Sequence, residues 1–199
     1  MENLSLKHLT SYLTLTAEEK QAIIDLDLIK HYKRGTILIR EGQISDNGFF
    51  VIKGCIRCYY VHEGQEKTTT FYTEAESFSP PCSINKMPSA YYVSCVEDCI
   101  LIVANLHMGI AIFDKLPRFE ICYRTFLGEL LAKTNAEFDE FKILSPQQRY
   151  LSVLQKKPNL IQRVPLQQLA SYLGITAPSL SRIRARITKF NQSEKTLIA

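Results

Sequence analysis

The residue pattern of this chain changes character near Leu106, and that change limits its folds more than any single motif. From about Leu28 to Val103 it reads TILI, GFFVIKG, CIRCYYV, KTTTFYT, YYVSCV and CILIVA, short runs rich in β-branched and aromatic residues. Gly35, Gly42, Asn47-Gly48, Gly54 and Glu63-Gly64 separate them, each a place where a tight turn can take positive φ. Six short strands with regular turns predict an all-β roll or sandwich. Before them, LTAEEKQAIIDL opens on Thr16 with Glu19 three residues later, the pattern of a capped helix.

After Leu106 the period becomes helical. Pro117 to Leu144 contains one glycine and no internal proline, and Phe119, Tyr123, Phe126, Leu130, Thr134, Phe138 and Phe141 recur at steps of three and four. Ile121, Leu127 and Leu131 lie off that stripe, so the helix is apolar on more than one side. A second copy of the same helix is the economical cover for the extra face, because two-fold dimers are the commonest oligomers. Phe119, Tyr123, Phe126, Leu130, Phe138 and Phe141 are the expected dimer residues. At Ser145-Pro146 a new helix begins, serine suiting the N-cap and proline the first helical position. The expected organisation is an α+β chain: a β-roll over 1–115, a dimerisation helix over 116–144 and a helix-turn-helix unit over 145–199.

In that last unit, LASYLGITAPSLSRIRARI has the spacing of two helices crossing at a glycine. Leu169, Ala170 and Leu173 face inward from the first helix, and Ile175, Leu180 and Ile183 from the turn and the second. Ala170 is small where the helices cross, and Gly174 permits the change of direction. Thr176 can cap the second helix, and Pro178 in its first turn costs little. Thr176, Ala177, Ser179, Arg182 and Arg186 then point outward, while Arg184, about 200° around from Arg182, serves a different surface. Such a helix fits the major groove of duplex DNA, and Thr176, Ala177, Ser179, Arg182, Arg184 and Arg186 form the candidate contact set. A solvated basic helix end is the bland alternative for RIRAR. Charge favours the groove. Residues 145–199 hold nine Lys and Arg against one acid, +8, whereas the other 144 residues hold fifteen basic and nineteen acidic side chains, −4.

Other classes find little support. No apolar run is long enough to span a membrane, and the start lacks the form of a signal peptide, so a cytoplasmic protein is expected. Cys55, Cys58, Cys82, Cys95, Cys99 and Cys122 are then expected as free thiols. Cys55 and Cys58 fall in a predicted strand, where residues three apart face opposite ways, which spoils chelation. Cys82, in the expected loop SPPCS, is the candidate reactive thiol. His31, His62 and His107 are isolated, with no HxH or HxxxE pattern, and no P-loop or GxSxG occurs. Neither an enzyme nor a metal or other cofactor is expected.

The order of roll, long helix and two-helix head resembles the cyclic-AMP receptor protein/FNR family of bacterial transcription regulators over nearly the whole chain. HYKRGTILIREGQISDNGFFVIKGCIRCYYV resembles that family's roll signature, ILSPQQRYLSVLQKKP its hinge, and RVPLQQLASYLGITAPSLSRIRARI its reading head. The resemblance implies a cyclic-nucleotide-binding-like jelly roll, a winged-helix-like head and a homodimer reading a palindromic operator through residues 177–189. RNA polymerase and a small-molecule effector are further candidate partners. With nine residues after Phe190, a short or absent wing is expected. Arg182 falls where many members place a base-contacting arginine, but Ala177 and Pro178 replace an arginine and a glutamate of the best-known members. The family's nucleotide cassette is degenerate here: in ESFSPPCSINKMPSAYYVSC, Ser79 and Pro80 stand for its Gly-Glu pair and Ser89, before Ala90, for its phosphate-binding arginine. Phe78, Ser79, Lys86, Ser89 and Ala90 mark the matching effector pocket, and cyclic AMP is not expected to bind, since Lys86 lacks arginine's bidentate fork. The alternatives are a β-roll that binds a ligand or protein without specific DNA binding, and a thiol-based redox-sensing regulator.

Overall fold

The computed structural model describes residues 14, 16–25, 27–105, 107–108 and 117–197. The first helix, α1 (Ala17–Asp25), carries the expected capping box: the Thr16 hydroxyl accepts from the Glu19 N–H at 3.2 Å, and the Thr16 N–H donates to the Glu19 carboxylate at 2.7 Å. Eight strands follow: β1 (Ile29–Tyr32), β2 (Ile37–Ile39), β3 (Asn47–Lys53), β4 (Ile56–His62), β5 (Gln65–Tyr72), β6 (Ser77–Phe78), β7 (Tyr92–Cys95) and β8 (Cys99–Asn105). They form two antiparallel sheets, ordered β1-β8-β3-β6 and β2-β7-β4-β5. Ile39, Phe49, Val51, Ile56, Cys58, Phe78, Val93 and Leu101 fill the space between them. The sequence pattern anticipates six of these strands; β1 and β6 are additions. IKHY has two polar residues in four, and Ser77-Phe78 is too short to show a period.

Gly54 ends β3 with φ +104°, and a Cβ there would lie 2.7 Å from the Cys99 sulfur and 2.8 Å from the Asp98 carbonyl. Only glycine fits so tight a crossing of the two sheets. The SPPCS segment departs from the expected loop: Pro81–Asn85 form a short helix, α2, that buries Cys82.

Helix α3 (Pro117–Ile143) leads to α4 (Pro146–Lys156), α5 (Leu160–Arg163), α6 (Leu166–Tyr172) and α7 (Ala177–Leu197). Ser145 caps α4 reciprocally with Gln148, with Pro146 in the first turn, as the sequence predicts. Arg149 donates from Nη1 to the carbonyls of Phe141 (2.9 Å) and Leu144 (3.2 Å), satisfying acceptors that the end of α3 leaves open. α5 is unanticipated, a single turn after Pro158 that buries Leu160 and Ile161. α7 continues to Leu197, so among the described residues no strand follows it.

The helices after α3 share a second core, Tyr150, Leu160, Ile161, Val164, Leu169, Ala170, Leu173 and Leu180, and Cys55, Phe71 and Val96 of the roll belong to it. The helical unit is therefore packed on the roll. β5 is an edge strand, and α6 covers that edge. The Ser171 hydroxyl accepts from the Thr68 N–H at 2.9 Å and donates to the Glu66 carbonyl at 3.2 Å, meeting two edge groups with one side chain.

Candidate nucleic-acid interface

Helices α6 and α7 meet at Gly174, φ +70°. The Gly174 N–H donates to the Ser171 carbonyl and the Ile175 N–H to the Ala170 carbonyl, both at 3.0 Å, the paired bonds of a Schellman turn. A Cβ on Gly174 would lie 3.0 Å from the Phe141 ring, so this turn also rests on the end of α3. Leu169, Ala170, Leu173 and Leu180 are fully buried and Ile175 and Ile183 half-buried, matching the inward positions read from the spacing.

The outward side carries the cations. Thr176 caps α7, its hydroxyl 3.4 Å from the Ser179 N–H and 3.0 Å from the Ser179 hydroxyl. Arg182 is exposed and reaches Ser179 Oγ at 3.3 Å from Nη2. Arg186, one turn on, is exposed and donates to Gln147 Oε1 at 3.3 Å. Gln147 is absent from the sequence-based set; its position directly after the Ser145-Pro146 helix start is the signal that could have found it.

Two members of the set sit elsewhere. Arg184 turns inward, donating to the Tyr150 hydroxyl at 3.2 Å and the Ile161 carbonyl at 3.5 Å, with its guanidinium 5.9 Å from the Tyr150 ring centre. Helical phase puts it over the second core, away from Arg182. Ala177 is half-buried against the same core.

The five residues of the roll cassette have different surroundings. Phe78 is buried, with ring centres of Phe49 at 6.1 Å and Tyr72 at 4.8 Å. Ser89 is buried, and its hydroxyl donates to the Tyr91 carbonyl at 2.7 Å and lies 3.3 Å from the Tyr91 N–H. Lys86 is exposed and pairs with Asp46 at 2.6 Å; Ser79 and Ala90 are exposed. Of the five, Phe78 and Ser89 are thus buried and Ser79, Lys86 and Ala90 exposed. A cleft of about 400 Å³ lies elsewhere, between β5, α3, α4 and α6, with Thr68, Thr134, Phe138, Arg149 and Tyr172 in its walls.

On α3, the side chains of Phe119, Tyr123 and Phe126 lie outside the described residues. Leu130 is half-buried toward a second cleft bordered by β5 and Lys157. The exposed apolar row is Leu127, Leu131 (64 % exposed) and Phe138 (59 %). Leu127, Leu131, Thr134, Phe138 and Phe141 are spaced by alternating fours and threes, so the off-stripe residues of the sequence pattern lead the open face.

Ion pairs join the helical unit to the roll. Arg163 grips Glu74 through two bonds, at 2.8 and 2.7 Å, and donates to Glu97 from Nε at 3.0 Å. Lys157 donates to Glu76 at 2.9 Å and to the Phe71 carbonyl at 3.0 Å, and Lys133 of α3 also pairs with Glu76. Burial would raise both carboxyls, but the Arg163 and Gly54 donors at Glu74, and Lys157, Lys133 and Thr73 at Glu76, outweigh it and hold each below its ordinary value.

The cyclic nucleotide-binding domain family model matches residues 29–113. A search of curated proteins returned no match. Among solved structures, FixK2 from Bradyrhizobium japonicum is similar at 14 % identity and a TM-score of 0.64, covering 82 % of this chain and 85 % of its own. A CooA mutant from Carboxydothermus hydrogenoformans follows at 18 % identity and 0.62, covering 81 % and 76 %. CLP of Xanthomonas campestris, described as a c-di-GMP responsive global regulator, has 17 % identity and 0.61, covering 86 % and 93 %. Residues 29–113 thus match the cyclic nucleotide-binding domain family, and the described residues share their fold with these solved structures.

Proposed function

We propose that this chain is a cytoplasmic DNA-binding transcription regulator, acting as a homodimer through α7 on an inverted-repeat operator. The observation that carries the reading is the division of α7 into two sides. Leu180 and Ile183 pack on α6 and the second core, while Thr176, Ser179, Arg182 and Arg186 stay outward on a segment of net charge +8. Arginine forks match guanine edges and phosphates, and a capped N-terminal turn places small polar groups beside them. In a dimer joined along the Leu127–Phe138 face of α3, two such helices would enter successive major grooves about 34 Å apart.

Cyclic AMP is not the effector in this reading. Ser89 spends its hydroxyl on neighbouring backbone, and Phe78 is packed in the roll core against Phe49 and Tyr72. Any effector would act by shifting the docking of the helical unit on the roll, and needs different affinity for the docked and released states.

A gel-shift titration against salt tests the assignment. Groove binding predicts a log–log affinity slope near about −0.9 per neutralised phosphate. A salt-independent interaction, or none with any duplex fragment, would leave the roll as a binding module without DNA recognition.

A further inference from the structure

The thiol that the sequence singles out, Cys82, is buried in α2. The β7–β8 turn instead holds two buried cysteines, one at each end. Cys95 ends β7 in one sheet and Cys99 begins β8 in the other, so the turn Val96-Glu97-Asp98 crosses between sheets. Both residues are buried in the roll core, and the Val96 N–H, next to Cys95, donates to the Cys55 carbonyl at 2.9 Å. The neighbouring Cys95 thiol lowers Cys99 despite burial, while Cys99 raises Cys95 with burial adding to the rise, so Cys99 gives up its proton first. Cys99 Sγ also lies 3.4 Å from the Cys55 carbonyl, under Gly54.

The turn over this pair is clamped from outside. Glu97 is held by Arg163 of the helical unit, and Asp98 by Lys33 and the Arg34 N–H, both at 2.9 Å. Glu74, the other partner of Arg163, accepts from the Gly54 N–H at 2.9 Å, and Val96 packs into the second core. An oxidant reaches the sulfurs only when this turn lifts, and Arg163 holds it down.

We propose that Cys95 and Cys99 form a reversible intrachain disulfide under peroxide, and that docking of the helical unit through Arg163 sets how readily it forms. The Cys99 thiolate attacks a peroxide oxygen; an S–O bond forms, the O–O bond breaks, and the leaving hydroxide takes a proton to become water. Cys95 then attacks that sulfur, an S–S bond forms, and the hydroxyl leaves as a second water, with the Cys95 proton. The two sulfurs lose two electrons and the peroxide gains them. At equilibrium the coupling is reciprocal: if docking disfavours the disulfide, the disulfide weakens docking by the same factor. The thiol claim does not depend on the DNA-binding reading, because its readout is the turn itself.

The experiment treats the full-length protein with hydrogen peroxide, blocks the remaining thiols with an alkylating label and digests with trypsin without reduction. Cys95 and Cys99 fall in one peptide, residues 87–115, and Cys55 in another, residues 54–57. The expected product is peptide 87–115 two hydrogens lighter and unlabelled, restored to a doubly labelled form by a dithiol. Arg163→Ala should form it several-fold faster. Labelled 87–115 after peroxide, or a 54–57 cross-link to it, overturns the pairing. An unchanged rate in Arg163→Ala, and equally in the milder Glu97→Gln, overturns the coupling.

Discussion

At 3.6 residues per turn, Arg184 leaves α7 about 200° from Arg182, and the two guanidiniums meet different surroundings. Arg182 is exposed and bonds to Ser179, so Arg182→Ala should leave the melting temperature nearly unchanged while weakening specific DNA binding by about 1–3 kcal/mol and relaxing base preference at one position. Arg184 bonds to Tyr150 and Ile161, and its replacement by alanine should cost about 1–2 kcal/mol of stability in denaturant titration. Its effect on DNA affinity should be small beside that of Arg182. Both roles follow from helical phase, which a sequence shows. What the phase does not show is Gln147, brought beside Arg186 by the packing of α4 on α7.

Among elements, α3 exposes Leu127, Leu131, Phe138, Phe141 and Ile143. Leu131→Asp places a charge in the middle of the Leu127–Phe138 row; it should yield monomers by light scattering with little loss of monomer stability, because Leu131 has little packing to lose. A dimer that survives this change joins elsewhere. The contact between roll and head has its own signature. Glu74 and Glu76 bind protons less readily when docked than when free, with folded values below the ordinary 4.5. Their contribution is complete above that value and is lost as pH falls through the lowered one. Thermal melts followed from neutrality downward should therefore drop more steeply in the acid range for the wild type than for the doubly substituted Glu74→Gln, Glu76→Gln chain. Helices α3, α4, α6 and α7 and six strands are readable from periodicity, α5 is not, and the caps at Thr16 and Ser145 are readable from single residues. The ion pairs are not, because Arg163 lies 89 positions from Glu74, and only the docking of α6 on the β5 edge brings them together.

For the whole molecule, a roll packed by its own side chains, a long helix with an exposed apolar row and a basic head held to the roll by arginine and lysine make up the docked arrangement from which the proposed switching starts. The serines at positions 79 and 89 are plain in the sequence; the stacking of Phe78 on Tyr72 is not, since contact across strands depends on register. The most direct test is selection of bound duplexes from a random pool by the full-length protein. The account predicts an enriched inverted repeat with half-sites centred one helical turn apart, one position of which loses its preference in Arg182→Ala. Enrichment without two-fold symmetry, or the same pattern with and without Arg182, would contradict it.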